Sequence, residues 1–334
     1  MSAASRPVAS GRVVTVTANA AIDHTVVVPG FRAGAVNRVA SEARNPGGKG
    51  VNVAAALRML GVEAVATGFL GGGNDELFTE FLGGEGIDDR FLRLPGLTRT
   101  GIKIVDGEGA TTDLNFPGMA VSAGDVDRLV AVLGELAGGA AWVALSGSLP
   151  PGAPADLYAR LTAAAQAGGA AVALDTSGAA LGAAIGARPD LIKPNTEELE
   201  ELVRRPLPDT ATLLGAVAEL QAMGIPRVVV SRGAAGGLFV DEDEAVEARP
   251  PPVAVVSTVG AGDATVAGTL AALLRGESLT EVARLAMACG ASAVETVGPR
   301  LDAAAVARRA REVTVATLAA DGRADPQTRS RGTA

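Results

Sequence analysis

The chain has 334 residues, 48% of them apolar and 3% aromatic, and a net charge of −8. That length fits one large α/β domain with an appendage, and the apolar share is ample for a core. The acidic balance carries no basic stripe interleaved with aromatics, which excludes nucleic acid as the expected partner, and no apolar run approaches the ~20 residues of a membrane span.

Residues 1–10 lack the apolar stretch of a signal peptide, so a cytoplasmic location is expected. Residues 12–18 are β-branched and apolar and predict a buried first strand, 49–60 a helix stopped by Gly61, and 64–70 a strand. Ser122 and Asp125 form a capping-box pattern, followed by Val126, Leu129, Val130 and Leu133 at helical spacing. Strands are predicted at 142–145, 170–174, 190–193 and 227–230, and helices at 155–167 and 209–223. The recurring strand–helix order predicts a mostly parallel sheet covered on both faces, with ligands beyond the carboxyl ends of its strands. Two segments break the rhythm: 24–42, with strand-like Val26-Val27-Val28 and 36–40, and 98–115, around a Gly107-Glu108-Gly109 hairpin signal. The single cysteine, Cys289, excludes an internal disulfide and a Cys-based metal cluster, and its small-residue surroundings predict helix packing. Residues 1–11 and 321–334 read as disordered tails flanking a domain over 12–318.

The stretch Ser257-Thr258-Val259-Gly260-Ala261-Gly262-Asp263-Ala264 carries the most chemistry. A glycine-bracketed turn opening a helix offers unpaired N–H groups and a positive dipole end to phosphate oxygens. Asp263 in the same turn repels a resting phosphate, and makes sense as the base that takes a proton from an attacking hydroxyl. The Gly-x-x-x-x-Gly-Lys-Ser/Thr pattern of P-loop enzymes is not present here.

This stretch resembles the second signature of the PfkB, or ribokinase-like, carbohydrate kinases. Asn45-Pro46-Gly47-Gly48-Lys49-Gly50-Val51-Asn52-Val53-Ala54 resembles their first. The resemblance runs over about residues 12 to 315 and implies a three-layer αβα sandwich with a mostly parallel central sheet. A small β-sheet lid, formed by the segments 24–42 and 98–115, is implied over the sugar, together with a homodimer contact through that lid. Thr17 to Asp23, Gly34 to Arg38, Thr111 to Asn115 and Ser146 to Gly152 are similar to segments of the hexose-phosphate branch. Departures lie around the sugar: Gly101 stands where that branch usually has Asn, and Phe116 replaces a commonly polar residue.

Site roles follow as expectations. Asp263 is the catalytic base, and Gly260, Ala261 and Gly262 hold the transferring oxygens. Asp23 ends the first strand region, where a carboxylate either caps the next turn or accepts sugar hydroxyls; the resemblance favours the sugar. Gly47 and Gly48 let backbone approach the sugar, and Asn52 offers it a donor and an acceptor. Lys49 is a cation at a helix start, where the dipole disfavours it, which implies a nearby anion. Arg38 and Arg99 are phosphate ligands by their guanidinium geometry, with Lys103 and Arg44 as substitutes. Ser146 and Ser148 complete the expected substrate contacts. For the nucleotide, the resemblance implies Lys193, Asn195, Glu198, Ser231, Gly233, Gly236, Gly262 and Gly290, and ATP with Mg²⁺. Asn195 and Glu198 would orient Mg²⁺ through waters; on pattern alone Glu198 is a solvated helix face. The activity implied is phosphorylation of fructose 1-phosphate, with tagatose 6-phosphate or fructose 6-phosphate as alternatives and a non-catalytic sugar-phosphate sensor as a remote one.

Overall fold

The computed structural model describes residues 11–106, 110–295, 298 and 301–318. The hairpin tip expected at Gly107-Glu108-Gly109 and the expected tails, Gly11 aside, lie outside the described residues.

The chain begins with β1 (Arg12–Thr17), β2 (Ala21–Val27), β3 (Ser41–Gly47), α1 (Lys49–Met59), β4 (Glu63–Gly71) and α2 (Glu76–Gly84). Next come β5 (Asp88–Asp89), β6 (Leu92–Leu94), β7 (Arg99–Val105), β8 (Thr111–Leu114), α3 (Ala123–Ala137), β9 (Trp142–Ser146), α4 (Leu157–Ala167) and β10 (Ala171–Asp175). The middle continues through α5 (Gly178–Ala184), β11 (Leu191–Ile192), α6 (Thr196–Val203), α7 (Thr210–Ala222) and β12 (Arg227–Ser231). Last are β13 (Gly237–Val240), β14 (Ala245–Arg249), α8 (Ala261–Leu274), α9 (Leu279–Ala293), α10 (Ala303–Glu312) and β15 (Thr314–Thr317).

The large sheet runs β15-β14-β13-β12-β11-β10-β9-β1-β4-β5, with β6 also paired to β4. From β5 to β12 every pairing is parallel; β12 to β15 pair antiparallel. The chain goes from β1 to β4 on one side and returns to β9 on the other, so the strand order reverses beside β1. Such a reversal leaves a crevice beyond the carboxyl ends.

Both faces of this sheet are covered, which explains why its strands read as continuous apolar runs. In β1, Val13 packs among side chains of α1, α2, α8, α9 and α10, while Val14 and Val16 pack among those of α3 to α7. This is the expected three-layer αβα sandwich. Close helix contact accounts for the small residues of α8 and α9: a Cβ on Gly268 would lie 2.8 Å from Ala286 Cα and 3.0 Å from Cys289 Sγ. Cys289 is fully buried there, and burial pushes its thiol up to about 12.

The small sheet has the order β3-β2-β7-β8. Its first hairpin differs from the expected segment 24–42, because 36–40 is not a strand and the pairing strand is β3. Asn37 is the physical reason. Its side chain accepts from Arg32 N at 3.0 Å and donates to Arg32 O and Ala35 O at 2.9 and 3.1 Å. Side-chain bonds to the local backbone hold a loop against strand pairing. Pro46 is tolerated in β3 because that strand lies at the sheet edge.

Candidate active site

Two glycine-led helices meet at the carboxyl edge of the large sheet. α1 starts after Gly48, φ 116°, and α8 after Gly260, φ 84°, backbone angles at which any Cβ is strained. Neither receives a side-chain cap, so the first-turn N–H groups of both are left for a ligand oxygen. The two N-terminal turns touch where Asn52 Nδ2 donates to Asp263 Oδ2 at 2.8 Å.

Asp263 is 4% exposed. Burial pushes its carboxyl up to about 6, and the neighbouring Asp175 adds to the rise; Lys49, the Asn52 bond and Lys193 hold it from going further. Asp175 ends β10 and bridges two ammonium groups, Lys193 at 3.1 Å and Lys49 at 3.3 Å. Burial acts to raise the Asp175 carboxyl, but the two lysines outweigh it and the group stays below its ordinary value. Burial likewise acts to lower Lys49, and Asp175, Asp263 and Glu198 together raise it above the usual lysine value. Both lysines are therefore held against Asp175. A Cβ on Gly262 would lie 3.4 Å from Lys193 Nζ, so this cation stands over the Gly260–Gly262 turn. Free N–H donors, a dipole end and two lysines make a seat for phosphoryl oxygens.

Asn52 also lines a cleft of about 230 Å³ between the large sheet and the small one, with Asp263 directly behind that wall. Its other lining includes Asp23, Asn45, Gly101, Lys103, Asp113, Asn115 and Gly260. Strand register brings these together. Asp23 on β2 pairs Asn45 on β3 and Gly101 on β7, and Lys103 pairs Asp113 on β8. Alternation then puts Asp23, Asn45, Gly101, Lys103 and Asp113 on one face of the small sheet. Burial raises the Asp23 carboxyl, opposed by Arg99 and Lys103 and reinforced by Asp113. Lys103 Nζ meets Asp113 at 2.8 Å. Gly47 leaves room for Asp23: a Cβ there would sit 2.3 Å from Asp23 Oδ2.

Other expected contacts fall elsewhere. The Arg99 guanidinium is occupied by three carbonyls, of Ala20 at 3.3 Å, Phe116 at 2.7 Å and Asn19 at 3.1 Å. Arg38 is exposed on the loop between β2 and β3 and does not line the cleft. Among the described residues, the lysine or arginine that lines it is Lys103. Ser146 is 1% exposed and ends β9 beside Thr17 and Asp175, beneath the site rather than in it. Ser148 is exposed to solvent and accepts from Asn19 Nδ2 at 3.2 Å. Gly290 is buried in α9 against α8, where a Cβ would meet Thr265 Oγ1 at 2.7 Å.

On the nucleotide side, Asn195 caps α6 in a capping box with Glu198, Oδ1 accepting at 2.7 Å and Glu198 Oε2 accepting at 2.8 Å. Asn195 bridges to Ser231 at the end of β12. Gly233 lies in a short helical turn and Gly236, φ 95°, follows it, so the segment is a hairpin between antiparallel β12 and β13. A Cβ on Gly236 would meet Ala248 O at 2.0 Å, which ties this glycine to strand packing. Arg232 pairs with Glu247 at 2.6 Å. Asp175 belongs to no motif of the sequence. A carboxylate directly after a predicted parallel strand was the available signal, since that edge is where ligands sit.

The family model for pfkB family carbohydrate kinases matches residues 12–305. The chain belongs to that family. It is a phosphotransferase with an alcohol acceptor, as family and relatives indicate. It is 50% identical over 310 residues to the 1-phosphofructokinase of Rhodobacter capsulatus, 92% of this chain and 98% of that one. Phosphofructokinase-2 from Escherichia coli in complex with fructose-6-phosphate superposes with a TM-score of 0.85 at 30% identity, over 91% of this chain and 99% of that one. The fold alone extends to Arabidopsis thaliana ribokinase, TM-score 0.74 at 23% identity, over 90% and 99% of the two chains. Among the described residues no helix is long and apolar enough to cross a membrane, and no three His, Cys, Asp or Glu side chains form a metal cage.

Proposed function

We propose that this chain transfers the γ-phosphoryl group of ATP to the 6-hydroxyl of fructose 1-phosphate, giving fructose 1,6-bisphosphate and ADP. The observation that carries this is Asp263: a buried carboxylate in the phosphate-seating turn of α8, bonded to a residue of the sugar cleft. The sugar lies in the cleft on Asp23, Asn45 and Asn52. Its 6-hydroxyl reaches the α8 turn, the oxygen–phosphorus bond forms as the bond to the ADP oxygen breaks, and the hydroxyl proton passes to Asp263. Lys49, Lys193 and the N–H groups of the turn hold the charge of the transferring group. Lys103, the described cleft lysine, exchanges its Asp113 partner for the sugar phosphate, with Arg38 and Arg99 reaching it only after the small sheet rearranges. Closing that sheet over the cleft excludes water and suppresses hydrolysis of ATP.

The donor set fits Mg²⁺: Glu198 keeps a carboxylate oxygen outside the capping box, and its charge already acts on Lys49. Such a site suits an ion that keeps most of its waters, and Mg²⁺ bound there supplies charge neutralisation to the phosphates. The reading includes a cytoplasmic enzyme with no nucleic-acid partner and a homodimer through the small sheet, where Val36, Val39, Leu114 and Phe116 are exposed. The likeness to a phosphofructokinase holding fructose-6-phosphate supports a second reading, transfer to a 6-phosphate.

Initial rates with Mg-ATP and, separately, fructose 1-phosphate, fructose 6-phosphate, tagatose 6-phosphate and free fructose test this. The expected result is a clear kcat/KM preference for fructose 1-phosphate. A preference for a 6-phosphate keeps the chemistry and reverses the sugar; turnover of none supports a sugar-phosphate sensor.

A further inference from the structure

Ser146, 1% exposed, ends β9 with a buried hydroxyl that has no hydrogen-bond partner among the described residues. A buried hydroxyl left unpaired costs stability, so its presence in a packed sheet points to a second state in which it is used. The ladder says where it can act. Parallel register sets Ser146 beside Asp175 of β10, and residues paired in this way project to the same face. That face is the one α1 covers: Trp142 and Ala144 of β9 and Ala173 of β10, in step with them, pack with Val51 and Val53 of α1.

Lys49 Nζ meets Asp175 Oδ2 at 3.3 Å, while Lys193 Nζ meets Oδ1 at 3.1 Å. The two lysines differ in freedom, the Lys49 side chain being 41% exposed and that of Lys193 6%. Lys49 is thus the partner able to turn from Asp175 toward phosphoryl oxygens, and its turning leaves Oδ2 of a buried carboxylate bare. The neighbouring hydroxyls are engaged elsewhere. Tyr158 Oη donates to the carbonyls of Ser146 and Gly147 at 3.1 and 2.9 Å, and Thr176 Oγ1 to that of Gly147 at 2.9 Å. Thr17, also with an unpaired hydroxyl, lies one strand further away, on β1.

We propose that Ser146 is a positioning residue for Lys49: its hydroxyl donates to Asp175 Oδ2 when Lys49 leaves that oxygen for the phosphoryl group. The exchange keeps the buried carboxylate hydrogen-bonded as the cation moves. The proposal rests on the reading of the α8 turn as the phosphate seat.

Ser146→Ala and Ser146→Cys test it, each also made in a Lys49→Met background. Alanine deletes the hydroxyl, and cysteine fills the same space with a weak donor. In the otherwise native chain, the thermal midpoint of Ser146→Ala should equal or exceed the parent's, because the hydroxyl is unpaired at rest. KM for ATP should rise about tenfold in both variants, as for one hydrogen bond to a charged group, while KM for fructose 1-phosphate holds. In the Lys49→Met background Oδ2 faces no Lys49 ammonium, so the hydroxyl serves it in the free protein. There Ser146→Ala should lower the midpoint by roughly 2–4 °C. This readout needs no nucleotide, so it still supports the exchange if the chain turns over no sugar phosphate and the kinase reading fails. A midpoint lowered by Ser146→Ala in the otherwise native chain overturns the proposal, because the hydroxyl is then already bonded at rest. So does a Lys49→Met midpoint that Ser146→Ala leaves unmoved, or a Ser146→Cys variant that keeps the parental KM for ATP.

Discussion

Asn52 and Asp263, 211 residues apart in sequence, are joined by a 2.8 Å hydrogen bond that locks the first turn of α1 to the first turn of α8. One partner lines the sugar cleft and the other lies in the turn shaped for phosphate, so acceptor and donor sites share a single contact.

Asp263→Asn is expected to lower kcat by about 10²–10⁴-fold while KM for ATP holds, because the amide keeps the Asn52 contact but takes no proton. In the parent, kcat should fall as pH drops through about 6, where the carboxyl takes up its proton. Stability should move oppositely. The folded group titrates near 6 against an ordinary 3.8, so the native state holds it ionised at neutral pH at a cost. That cost is on the order of 2–3 kcal/mol. It shrinks as pH falls through 6 and is gone below the unfolded value. Calorimetry should therefore find Asp263→Asn more stable than the parent at pH 7, with a smaller margin at pH 5. An active Asp263→Asn removes this residue as the base.

Asp175→Asn should be the opposite case. It leaves Lys193, whose side chain is 6% exposed, without its buried counter-ion. Breaking a buried pair from one side costs about 3–5 kcal/mol. Urea unfolding at pH 7 should show that loss, together with a raised KM for ATP as Lys49 and Lys193 lose their fixed positions. The folded Asp175 carboxyl lies below its ordinary 3.8, so the parent keeps this contribution above that pH and loses it as pH falls through the lower folded value. Unchanged urea stability in the variant shows that the lysines need no anchor.

Much of this was legible in the sequence because local patterns and the fold agree. The apolar runs that became β1, β9, β10 and β12 are buried on both faces, and the turns led by Gly48 and Gly260 need positive φ. The small sheet was harder to read. Residues 36–40 carry two valines and look like strand, yet Asn37 ties that loop to its own backbone. The Arg99 guanidinium matches phosphate on chemistry, but folding places three carbonyls around it. Asp175 carried only a weak signal, its place after a predicted strand, because its importance lies in two lysines that approach it only through the topology, one from α1 and one after β11.

Gly47→Ala is expected to act on the sugar alone. The new methyl would lie 2.3 Å from Asp23 Oδ2, so the carboxylate must swing away from the cleft. KM for fructose 1-phosphate should rise about tenfold or more, as for loss of one buried hydrogen-bonding partner, with KM for ATP unchanged. Equal sugar KM in parent and variant excludes Asp23 as a substrate contact in this position.

Asn195 has two candidate jobs that substitutions separate. Its Oδ1 caps α6, and its place beside Glu198 suits orientation of a hydrated Mg²⁺. Asn195→Asp keeps the acceptor and adds a charge favoured at a helix start, whereas Asn195→Ala removes the cap at a cost of about 1 kcal/mol. Rates measured across a Mg²⁺ titration, alongside thermal unfolding, distinguish the roles. If Asn195 serves the ion, the aspartate variant should unfold as the parent does yet reach half-maximal rate at a different Mg²⁺ concentration, while alanine loses in both assays. An aspartate variant indistinguishable from the parent in both leaves Asn195 as a helix cap, and water-mediated ion binding then falls to the second carboxylate oxygen of Glu198.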